Sequence, residues 1–513
     1  MKVGMEVEST HFEAALGVIR ALRAAGHRAY LAGGCVRDLL LGRAPSDYDV
    51  ATSATPDLVL ALFPRTFAVG AHFGVVLVAH EAGEGEGDSY FTTEVATFRS
   101  DGVYSDGRHP DAVRYTASAE EDVKRRDFTI NGLLLDPACL FPQDSEPRAS
   151  RSFGPGHDFR RAESDRVTTG ALAPEGCSRT HTERRPAADA PPQIDGLSAA
   201  IFDFVGGVAD LEAGVVRAIG QAEERFEEDH LRMLRGVRFA ARFGFKLEKA
   251  TQNAIRALAR KTAAVSRERV RDELTKMLTE GRARRAFELL DETGLLAEVL
   301  PEIARMKGVE QPPQYHPEGD VWVHTLGLLV QLEAGCSPTL AWGALLHDVG
   351  KPATFRRAPD RIRFDGHVDV GMAIAADMLR RFRFSNEDTR QILALVENHM
   401  RFADADRMKS STLKRFFRLP QFEEHLALHR MDCTAGSGNL DHWKFVRERW
   451  RAMPEETVRP KPLLTGRDLI AAGFAPGPAF KQMLRAVEDA QLEGTITTPE
   501  EALQLARERF PLG

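Results

Sequence analysis

Residues 33–50 of the chain read GGCVRDLLLGRAPSDYDV: a glycine turn, a short helix and then two aspartates one residue apart. In an extended strand, residues two apart project from the same face. Asp47 and Asp49 are therefore expected to point the same way, and like charges held that close are costly unless a cation neutralises them. Mg²⁺ is bound in this manner, through one or two carboxylates together with substrate phosphates. Because Gly34 lets the backbone approach an anion at the start of the next helix, we predict a magnesium site that receives a triphosphate.

The overall composition is that of a multidomain globular protein. With 513 residues the chain exceeds a single compact core, and two to four domains are expected. It is 43% hydrophobic and 28% charged, and no uninterrupted apolar run is long enough to span a membrane, so we expect no membrane partner. The five cysteines form no CxxC pair, which favours a reducing cytoplasm. A net charge of −7 does not exclude nucleic acid, because a local basic surface can bind phosphates.

Hydrophobic periodicity and composition divide the chain into four domains and one insertion. Alternating strand and helix patterns predict an α/β head that is interrupted by a segment rich in Pro, Arg, Ser and Gly. That segment has no apolar period, and we expect it to be disordered because it cannot bury enough apolar surface to offset its ordering entropy. The predicted ranges are 1–137 and 199–223 for the head, 138–198 for the insertion, 224–300 for a helical neck, 301–450 for a histidine-bearing helical domain and 451–513 for a helical tail.

The pattern GGxVRD followed by DxD resembles the nucleotidyltransferase superfamily that includes tRNA CCA-adding enzymes and bacterial poly(A) polymerases. The resemblance implies a multidomain α+β fold, with a mixed-sheet nucleotidyltransferase head followed by an all-α neck. It also implies that Asp47 and Asp49 are the catalytic residues and hold two metal ions. One ion would activate the RNA 3′-hydroxyl while the other steadies the triphosphate during an in-line displacement.

Two further segments resemble motifs of the same family. TTEVATFR, residues 92–99, resembles its second strand motif, in which Glu94 is either an additional carboxylate of the metal site or a structural residue. KRRDFTINGLL, residues 124–134, resembles a motif that contacts the ribose and phosphates of the incoming nucleotide. With the glycine turn and its helix, these motifs imply the following nucleotide contacts: Gly34, Arg37, Arg126, Asp127 and Asn131.

A charged pair in EEDHLRMLRGVRF, residues 227–239, predicts how a base is selected. Three residues apart on a helix, Asp229 and Arg232 would share one face, separate from an apolar stripe of Leu231, Leu234 and Val237. Cytosine and adenine both present an amino donor beside a ring-nitrogen acceptor, which a carboxylate and a guanidinium can match. Uracil and guanine reverse that order and would leave charges unpaired. The segment resembles the EDxxR template motif of CCA-adding enzymes, and Arg235 and Arg238 are predicted to join the nucleotide site. The alternative is an ordinary surface pair.

Two segments bear on which branch of the superfamily the chain resembles. FAVGAHFGVVLV, residues 67–78, looks like the CCA-adding form, because bacterial poly(A) polymerases usually carry a glycine followed by two arginines here. RSDGVYSDGRHPDAV, residues 99–113, resembles the flexible loop of CCA-adding enzymes that helps to switch the pocket from C to A. An enzyme that adds only A would keep the same loop, so that alternative stays open.

The histidines concentrate in a second motif set that resembles the HD phosphohydrolase superfamily and implies an all-α HD domain. The resemblance assigns His324, His347, Asp348 and Asp432 as metal ligands. Mixed imidazole and carboxylate ligands suit a transition metal such as Ni, Mn, Co or Fe better than Mg²⁺. Two more histidines, His367 and His399, would extend the site or hold a phosphate. In relatives such a domain has 2′,3′-cyclic phosphodiesterase, 2′-nucleotidase and phosphatase activity, although it could also be catalytically silent.

The leading hypothesis is therefore addition of C, C and A to the 3′ end of tRNA from CTP and ATP, with a second activity in the HD domain. The first alternative is a poly(A) polymerase or an enzyme that adds only A. The second is a tRNA-binding HD phosphohydrolase without polymerase activity. A basic run at 407–420, RMKSSTLKRFFRLP, either holds RNA phosphates or is a solvated helix face.

Overall fold

The computed structural model describes residues 10–68, 74–81, 90–102, 112–140 and 200–510. The predicted insertion lies outside these residues apart from its first three positions, and so does the centre of the loop predicted at 99–113. The chain divides into two compact units. The first comprises residues 1–99, 115–123 and 131–204, and the second comprises residues 100–114, 124–130 and 205–513. The second unit therefore takes in three segments of the predicted head, at 100–114, 124–130 and 205–223.

The strands are short and most of them lie in the first half of the chain. They are β1 (Ala29–Ala32), β2 (Val50–Thr52), β3 (Thr66–Phe67), β4 (Val75–Glu81), β5 (Tyr90–Thr97), β6 (Arg99–Asp101), β7 (Val113–Tyr115), β8 (Leu133–Leu135), β9 (Ile201–Asp203), β10 (Val215–Val216), β11 (Lys246–Leu247), β12 (Arg356–Arg357) and β13 (Ile362–Arg363).

Helices dominate the rest of the described chain. Up to residue 304 they are α1 (Thr10–Ala24), α2 (Gly34–Leu40), α3 (Pro56–Leu62), α4 (Ala119–Lys124), α5 (Gly207–Ala213), α6 (Ala222–Glu228), α7 (Leu231–Phe243), α8 (Lys249–Leu258), α9 (Arg267–Thr279), α10 (Ala283–Glu292), α11 (Leu295–Val299) and α12 (Pro301–Ala304). Beyond it they are α13 (Val321–Leu329), α14 (Pro338–Leu346), α15 (Lys351–Thr354), α16 (His367–Arg381), α17 (Asn386–Asn398), α18 (Ser410–Phe417), α19 (Phe422–Ala435), α20 (Asp441–Ala452), α21 (Glu455–Val458), α22 (Gly466–Ala471), α23 (Ala479–Glu493) and α24 (Pro499–Arg509).

The first unit is built on a seven-stranded sheet in the order β3-β4-β5-β2-β1-β8-β9. The sheet is mixed, because β2 runs parallel to β5 and antiparallel to β1. Its central strands are apolar: Val50, Val95 and Leu134 are fully buried. Amphipathic α1 covers the sheet with its own buried side chains, among them Ile19 and Leu22. The predicted fold class, a mixed-sheet head followed by helical regions, is confirmed.

The second unit is helical and contains at least two separate apolar cores. One is centred on Phe402, Phe416 and Phe422 and includes Val458. Another, formed by α22, α23 and α24, begins at Leu464. The predicted boundary between the helical domain and the tail, at residue 450, thus falls inside the first of these cores, and the change of core comes after Val458. None of the helices in the described part of the chain is long and apolar enough to cross a membrane.

Candidate functional sites

The two aspartates of the DxD motif lie directly before the central strand of the head. The sequence predicted that Asp47 and Asp49 lie within a strand, but β2 begins only at Val50, so both residues belong to the segment that leads into the strand. The backbone is already paired there, since the amide of Ala32 donates to the carbonyl of Asp49 at 3.0 Å. Burial alternates along the segment: Asp47 is exposed, Tyr48 is buried and Asp49 is half-buried. This alternation supports the predicted common orientation of the two carboxylates.

Strand register adds a third carboxylate to this edge of the sheet. Val50 pairs with Val95 in the parallel ladder between β2 and β5. Asp49 and Glu94 each stand one residue before that pair, and Glu94 is exposed while Val95 is buried. In a parallel ladder, equal offsets place residues side by side on the same face. The register therefore supports the prediction that Glu94 is an additional carboxylate beside the aspartates.

The glycine turn and the helix after it form a buried polar network. Gly33 adopts φ 73° at the start of α2, a conformation that favours glycine. Arg37 is 4% exposed, and its guanidinium donates to Asp38 Oδ1 at 2.9 Å and to Asn131 Oδ1 at 2.6 Å. Two predicted nucleotide contacts, Arg37 and Asn131, are thus brought together, and the charge of Arg37 is balanced by Asp38. Gly34 is the first residue of α2.

In the second unit, Asp127 and Arg235 form a close ion pair. Asp127 Oδ2 accepts from Arg235 Nε at 2.8 Å, and Asp127 Oδ1 accepts from the amide of Phe128 at 2.8 Å. Burial would lower the pKa of Arg235, but the charge of Asp127 raises it above its usual range. The half-buried Arg126 precedes this pair in the chain. Arg238 is held differently: it is 6% exposed and donates to Glu273 Oε2 on α9 at 2.6 Å, a geometry typical of a structural ion pair.

The base-selecting pair was predicted to share a helix face, and this geometry is wrong. Asp229 has extended backbone angles, φ −145° and ψ 105°, and lies between α6 and α7, so only Arg232 is helical. Asp229 Oδ2 accepts from Arg269 at 2.7 Å, whereas Arg232 donates to Glu228 Oε2 at 2.5 Å. The two residues are connected through the backbone instead, because the amide of Arg232 donates to the carbonyl of Asp229 at 3.0 Å.

The apolar stripe predicted beside this pair is confirmed. Leu231 is 6% exposed, and Leu234 and Val237 are fully buried. The stripe anchors α7 in the core of the second unit and leaves Arg232 half-buried at the edge of the helix.

Four imidazoles and two carboxylates converge in the helical region that carries the histidines. His324 lies on α13, the His347–Asp348 pair follows α14, His367 begins α16, His399 follows α17 and Asp432 lies on α19. All four predicted ligands are close together. His324 Nε2 is 2.9 Å from Asp432 Oδ1 and 3.9 Å from Asp348 Oδ2, and His347 Nε2 is 3.2 Å from Asp348 Oδ2.

His367 and His399 lie near Oδ1 of Asp348, whereas His324 and His347 lie near Oδ2. The Nε2 atoms of His367 and His399 lie 3.9 Å and 3.7 Å, respectively, from Asp348 Oδ1. The Nε2 atoms of His347, His367 and His399 are buried without a hydrogen-bond partner in the described structure. Buried polar atoms are normally satisfied, and three unsatisfied nitrogens aimed at one carboxylate are what a site for a cation presents. We name these six residues, His324, His347, Asp348, His367, His399 and Asp432, the histidine centre.

Burial and charge act in opposite directions within the histidine centre. Burial alone would lower the pKa of His324, but its hydrogen bonds with Asp432 and Glu318 raise it to about 9. Burial would raise the pKa of Asp432, yet the same bond to His324 and the nearby His347 hold it below the usual range. Burial lowers the pKa of His399 to about 4 and outweighs the attraction of Asp348. This imidazole is therefore neutral and can donate a lone pair. A cation that binds at His324 would displace its proton, and the resulting donor set of imidazoles with ionised carboxylates fits a divalent transition metal.

Close backbone packing brings His367 into the histidine centre. A Cβ atom at Gly350, two residues after Asp348, would lie 2.0 Å from the carbonyl oxygen of His367 and 2.5 Å from the amide nitrogen of Gly371. Only glycine permits this approach of the first turn of α16 to the HDVGK segment. The glycine is therefore a structural requirement of the centre.

A cavity of about 450 Å³ adjoins the histidine centre. Its lining contains four members of the centre together with Lys351 and a fifth histidine: Asp348, His367, His399, Asp432, Lys351 and His316. Lys351 Nζ lies 2.6 Å from Asp348 Oδ2 and donates to Gln311 Oε1 at 2.7 Å. The cavity thus gives an anionic ligand access to the carboxylates beside the positively charged Lys351.

The sequence interpretation missed Lys351, His316 and Glu318. Lys351 stands three residues after Asp348 in HDVGK, a spacing that brings side chains together in a helical turn. His316 and Glu318 lie in the loop HPEGD before α13, where no periodicity relates them to His324. Only the polar cluster HPE marked that loop.

The basic run at 407–420 is largely engaged with the tail. Arg415 and Arg418 form ion pairs with Glu488 on α23 at 2.7 Å and 2.5 Å, and Lys414 donates to the carbonyl of Leu492 at 2.6 Å. These contacts dock α18 on α23, so three of the five cations proposed for RNA phosphates serve intramolecular packing. Arg407 and Lys409 remain exposed.

Comparison with protein families matches three parts of the chain. Residues 29–144 match the family "Poly A polymerase head domain". Residues 244–307 match "Probable RNA and SrmB-binding site of polymerase A", and residues 367–506 match "tRNA nucleotidyltransferase domain 2". The last match runs across both apolar cores of the second unit, from α16 to α24.

Individual relatives match nearly the whole chain. A CCA-adding enzyme of Geobacillus kaustophilus is 38% identical over 96% of this chain and 95% of its own length. One from Lactobacillus johnsonii is 34% identical over 96% of both chains. Among solved structures, the CCA-adding enzyme of Bacillus stearothermophilus in complex with CTP superposes with a TM-score of 0.65 and 26% identity, covering 98% of both chains.

Proposed function

The chain belongs to the CCA-adding enzymes of the poly(A) polymerase superfamily, and we propose on that basis which of its residues carry the reaction. The enzyme adds C, C and A to the 3′ end of tRNA from CTP and ATP, and each addition releases pyrophosphate. The observation that carries the assignment of the active site is the alternating burial at residues 47–49, with both aspartates on the side opposite the buried Tyr48. Asp47 and Asp49 are the catalytic carboxylates.

The carboxylates of Asp47, Asp49 and Glu94 form a donor set of oxygen atoms only, which fits Mg²⁺. When bound there, magnesium ions lower the pKa of the primer 3′-hydroxyl and neutralise charge on the triphosphate. The residues of the chain hold these ions and orient the nucleotide. Asn131 is held in place by Arg37, and Asp127 by Arg235, so both pairs are restrained before a nucleotide arrives.

Base selection is assigned to Asp229 and Arg232. A carboxylate accepts from the amino group of cytosine or adenine, and a guanidinium donates to the adjacent ring nitrogen. The extended backbone at Asp229 lets the pair act without a shared helix face. Arg269 and Glu228 hold the two side chains at 2.7 Å and 2.5 Å. Such restraint reduces the rotamer entropy that is lost when a base is bound.

The experiment that tests this function is extension of tRNA lacking its 3′ terminus with each nucleotide supplied alone and together. We expect CTP alone to add two residues, CTP with ATP to add three, and extension then to stop. Long A tails on unrelated RNA would instead identify a poly(A) polymerase. Extension only of tRNA that already ends in CC would identify an enzyme restricted to the terminal A.

A second function is favoured by the unsatisfied imidazole nitrogens. We propose that the histidine centre belongs to an HD-type domain, holds a transition metal such as Ni, Mn, Co or Fe, and hydrolyses phosphoesters such as 2′,3′-cyclic phosphates. His324, His347, Asp348 and Asp432 are the ligands of the cation. His367 and His399 add ligands beside Oδ1 of Asp348. A bound cation would activate water for attack on phosphorus. Lys351 faces the cavity and orients the phosphate by its charge.

Replacing Asp348 tests the second function, because the two oxygens of this carboxylate face all four imidazoles of the histidine centre. We expect Asp348→Asn to weaken Co²⁺ binding by at least about a hundredfold, since removal of even an outer contact of a metal site costs 10- to 100-fold. Isothermal titration of the metal-free protein measures the affinity, and hydrolysis of a 2′,3′-cyclic nucleotide measures the activity. Asp369→Asn, an exposed carboxylate on α16, is the matched control. A wild-type protein that binds no transition metal would refute this function.

A further inference from the structure

The outward-facing nitrogens of the histidine centre are held in two different ways. In each of the four imidazoles, Nδ1 is hydrogen-bonded and Nε2 faces the centre. Three of them donate Nδ1 to a backbone carbonyl three residues earlier: His347 to Ala344 at 2.9 Å, His367 to Phe364 at 3.0 Å and His399 to Val396 at 2.7 Å. His324 is the exception, because its Nδ1 is hydrogen-bonded to Oε1 of the Glu318 carboxylate at 2.6 Å.

Glu318 is well placed to hold the ring of His324. Its side chain is 16% exposed, and the same oxygen, Oε1, also accepts from His316 Nδ1 at 2.9 Å. The two imidazoles stand at 84° with ring centroids 4.7 Å apart, so His316 supports the carboxylate from the cavity side. His324 itself is fully buried on α13. Its orientation is therefore set by two groups: the Glu318 carboxylate outside the centre and Asp432 inside it.

A carboxylate and a backbone carbonyl have different effects on a metal ligand. Both keep a proton on Nδ1 and so leave the lone pair of Nε2 for a cation. The carboxylate is charged, and its hydrogen bond is roughly twice as strong as one between neutral groups. It also makes the imidazole more basic and thus a better ligand. Of the four imidazoles, His324 alone receives this effect from a side chain, which a mutation can remove without disturbing a helix backbone.

We propose that Glu318 is a positioning residue of the histidine centre, which fixes the ring and tautomer of His324 and thereby raises the affinity of the centre for a divalent transition metal. This inference rests on the second proposed function. Glu318 acts through His324 and touches neither cation nor substrate. The carboxylate belongs to the loop before α13, and the loop thus contributes to metal binding without supplying a ligand.

A competing arrangement makes Glu318 itself a ligand. The ligand atoms of His316, Glu318 and His324 lie within 4.8 Å of one another and could surround a cation of their own. That arrangement would use Nδ1 of His324, which already lies at hydrogen-bond distance from Glu318. The two possibilities differ in the role of His316, which would be a ligand in the second but only supports the carboxylate in the first.

Titration of the metal-free full-length protein with Co²⁺, followed by its visible absorption, tests the proposal. We expect Glu318→Ala to weaken Co²⁺ binding about 10- to 100-fold, the range found for groups that orient metal-bound histidines. Glu318→Gln keeps an oxygen acceptor without the charge and should lie between alanine and wild type. His316→Ala should weaken binding less than Glu318→Ala. Glu310→Gln, an exposed carboxylate paired with Arg357, is the matched control and should bind as wild type does.

The possible outcomes separate this inference from the function on which it rests. A wild-type protein without Co²⁺ binding would remove the second function and the inference with it. Tight binding by wild type and Glu318→Ala alike would overturn the inference alone. Equal losses in His316→Ala and Glu318→Ala would also overturn it, because they indicate a separate cation. Urea unfolding of the metal-free variants checks folding, and if the alanine variant does not fold, the isosteric Glu318→Gln decides the matter.

Discussion

Replacement of Asp47 by alanine is expected to reduce C and A addition at least about a thousandfold. A metal ion stabilises the charge that develops in phosphoryl transfer by several kcal/mol, and about 4 kcal/mol corresponds to a factor of a thousand in rate. Asp47→Asn should be nearly as damaging, because it preserves the shape of the side chain while it removes the charge. Single-turnover extension of tRNA ending before CCA, at saturating CTP, measures the rate.

The matched control for this change is Asp57→Asn, an exposed carboxylate in the first turn of α3 of the same unit. It should extend tRNA at the wild-type rate. Because the histidine centre belongs to the second unit, the proposed hydrolysis of a 2′,3′-cyclic nucleotide should persist in Asp47→Ala. Retention of more than about a tenth of the extension rate by Asp47→Ala would exclude a metal-binding role for this residue. Loss of extension and hydrolysis together would mean that the two activities depend on each other.

The second large effect is expected from Arg232→Ala, which should lower incorporation from CTP and ATP about a hundredfold. Hydrogen bonds to charged groups contribute about 1.5–3 kcal/mol, and 3 kcal/mol is slightly more than a factor of a hundred. Incorporation from UTP and GTP should change little, because their ring nitrogens carry a proton and gain nothing from the guanidinium. The ratio of CTP to UTP incorporation should therefore fall toward unity, as measured by kcat/KM for each nucleotide.

A paired variant separates base recognition from general damage to the second unit. Asp229→Asn should also impair selection, whereas Glu227→Gln, an exposed carboxylate two residues earlier that pairs with Lys261, should leave it unchanged. Arg232→Lys retains the charge but loses the planar fork and should recover only part of the rate. A uniform fall for all four nucleotides in Arg232→Ala would contradict a role in base selection and indicate a role in packing.

Local periodicity predicted those parts of the sites that depend on local geometry. The alternation at residues 47–49 follows from the two-residue period of extended chain, and it holds even though β2 begins only at Val50. The apolar stripe of α7 likewise follows from the helical period. Both features are set by residues near one another in sequence, for which spacing is a sufficient guide.

Contacts between residues that are distant in the sequence could not be predicted from the spacing of residue types. Asp229 leaves the helix because its carboxylate bonds with the amide of Leu231 and with Arg269, which is 40 residues away. Arg238 forms an ion pair with Glu273. Arg415 and Arg418 of the basic run form ion pairs with Glu488 on α23. Glu318 reaches His324 from an irregular loop. In each case the partner of a charged side chain depends on tertiary packing, which a single sequence does not specify.

Tyr48 fixes which side chains of the segment before β2 face the core and which face outward. It is 6% exposed and its ring lies 5.1 Å from that of Phe12 on α1, so it is anchored in the core between the two aspartates. Because a slip of one residue reverses the face of every side chain, such a slip would expose this tyrosine and bury both acids. The loop upstream can therefore gain or lose residues during evolution without moving the acids, provided that the aromatic ring keeps its place.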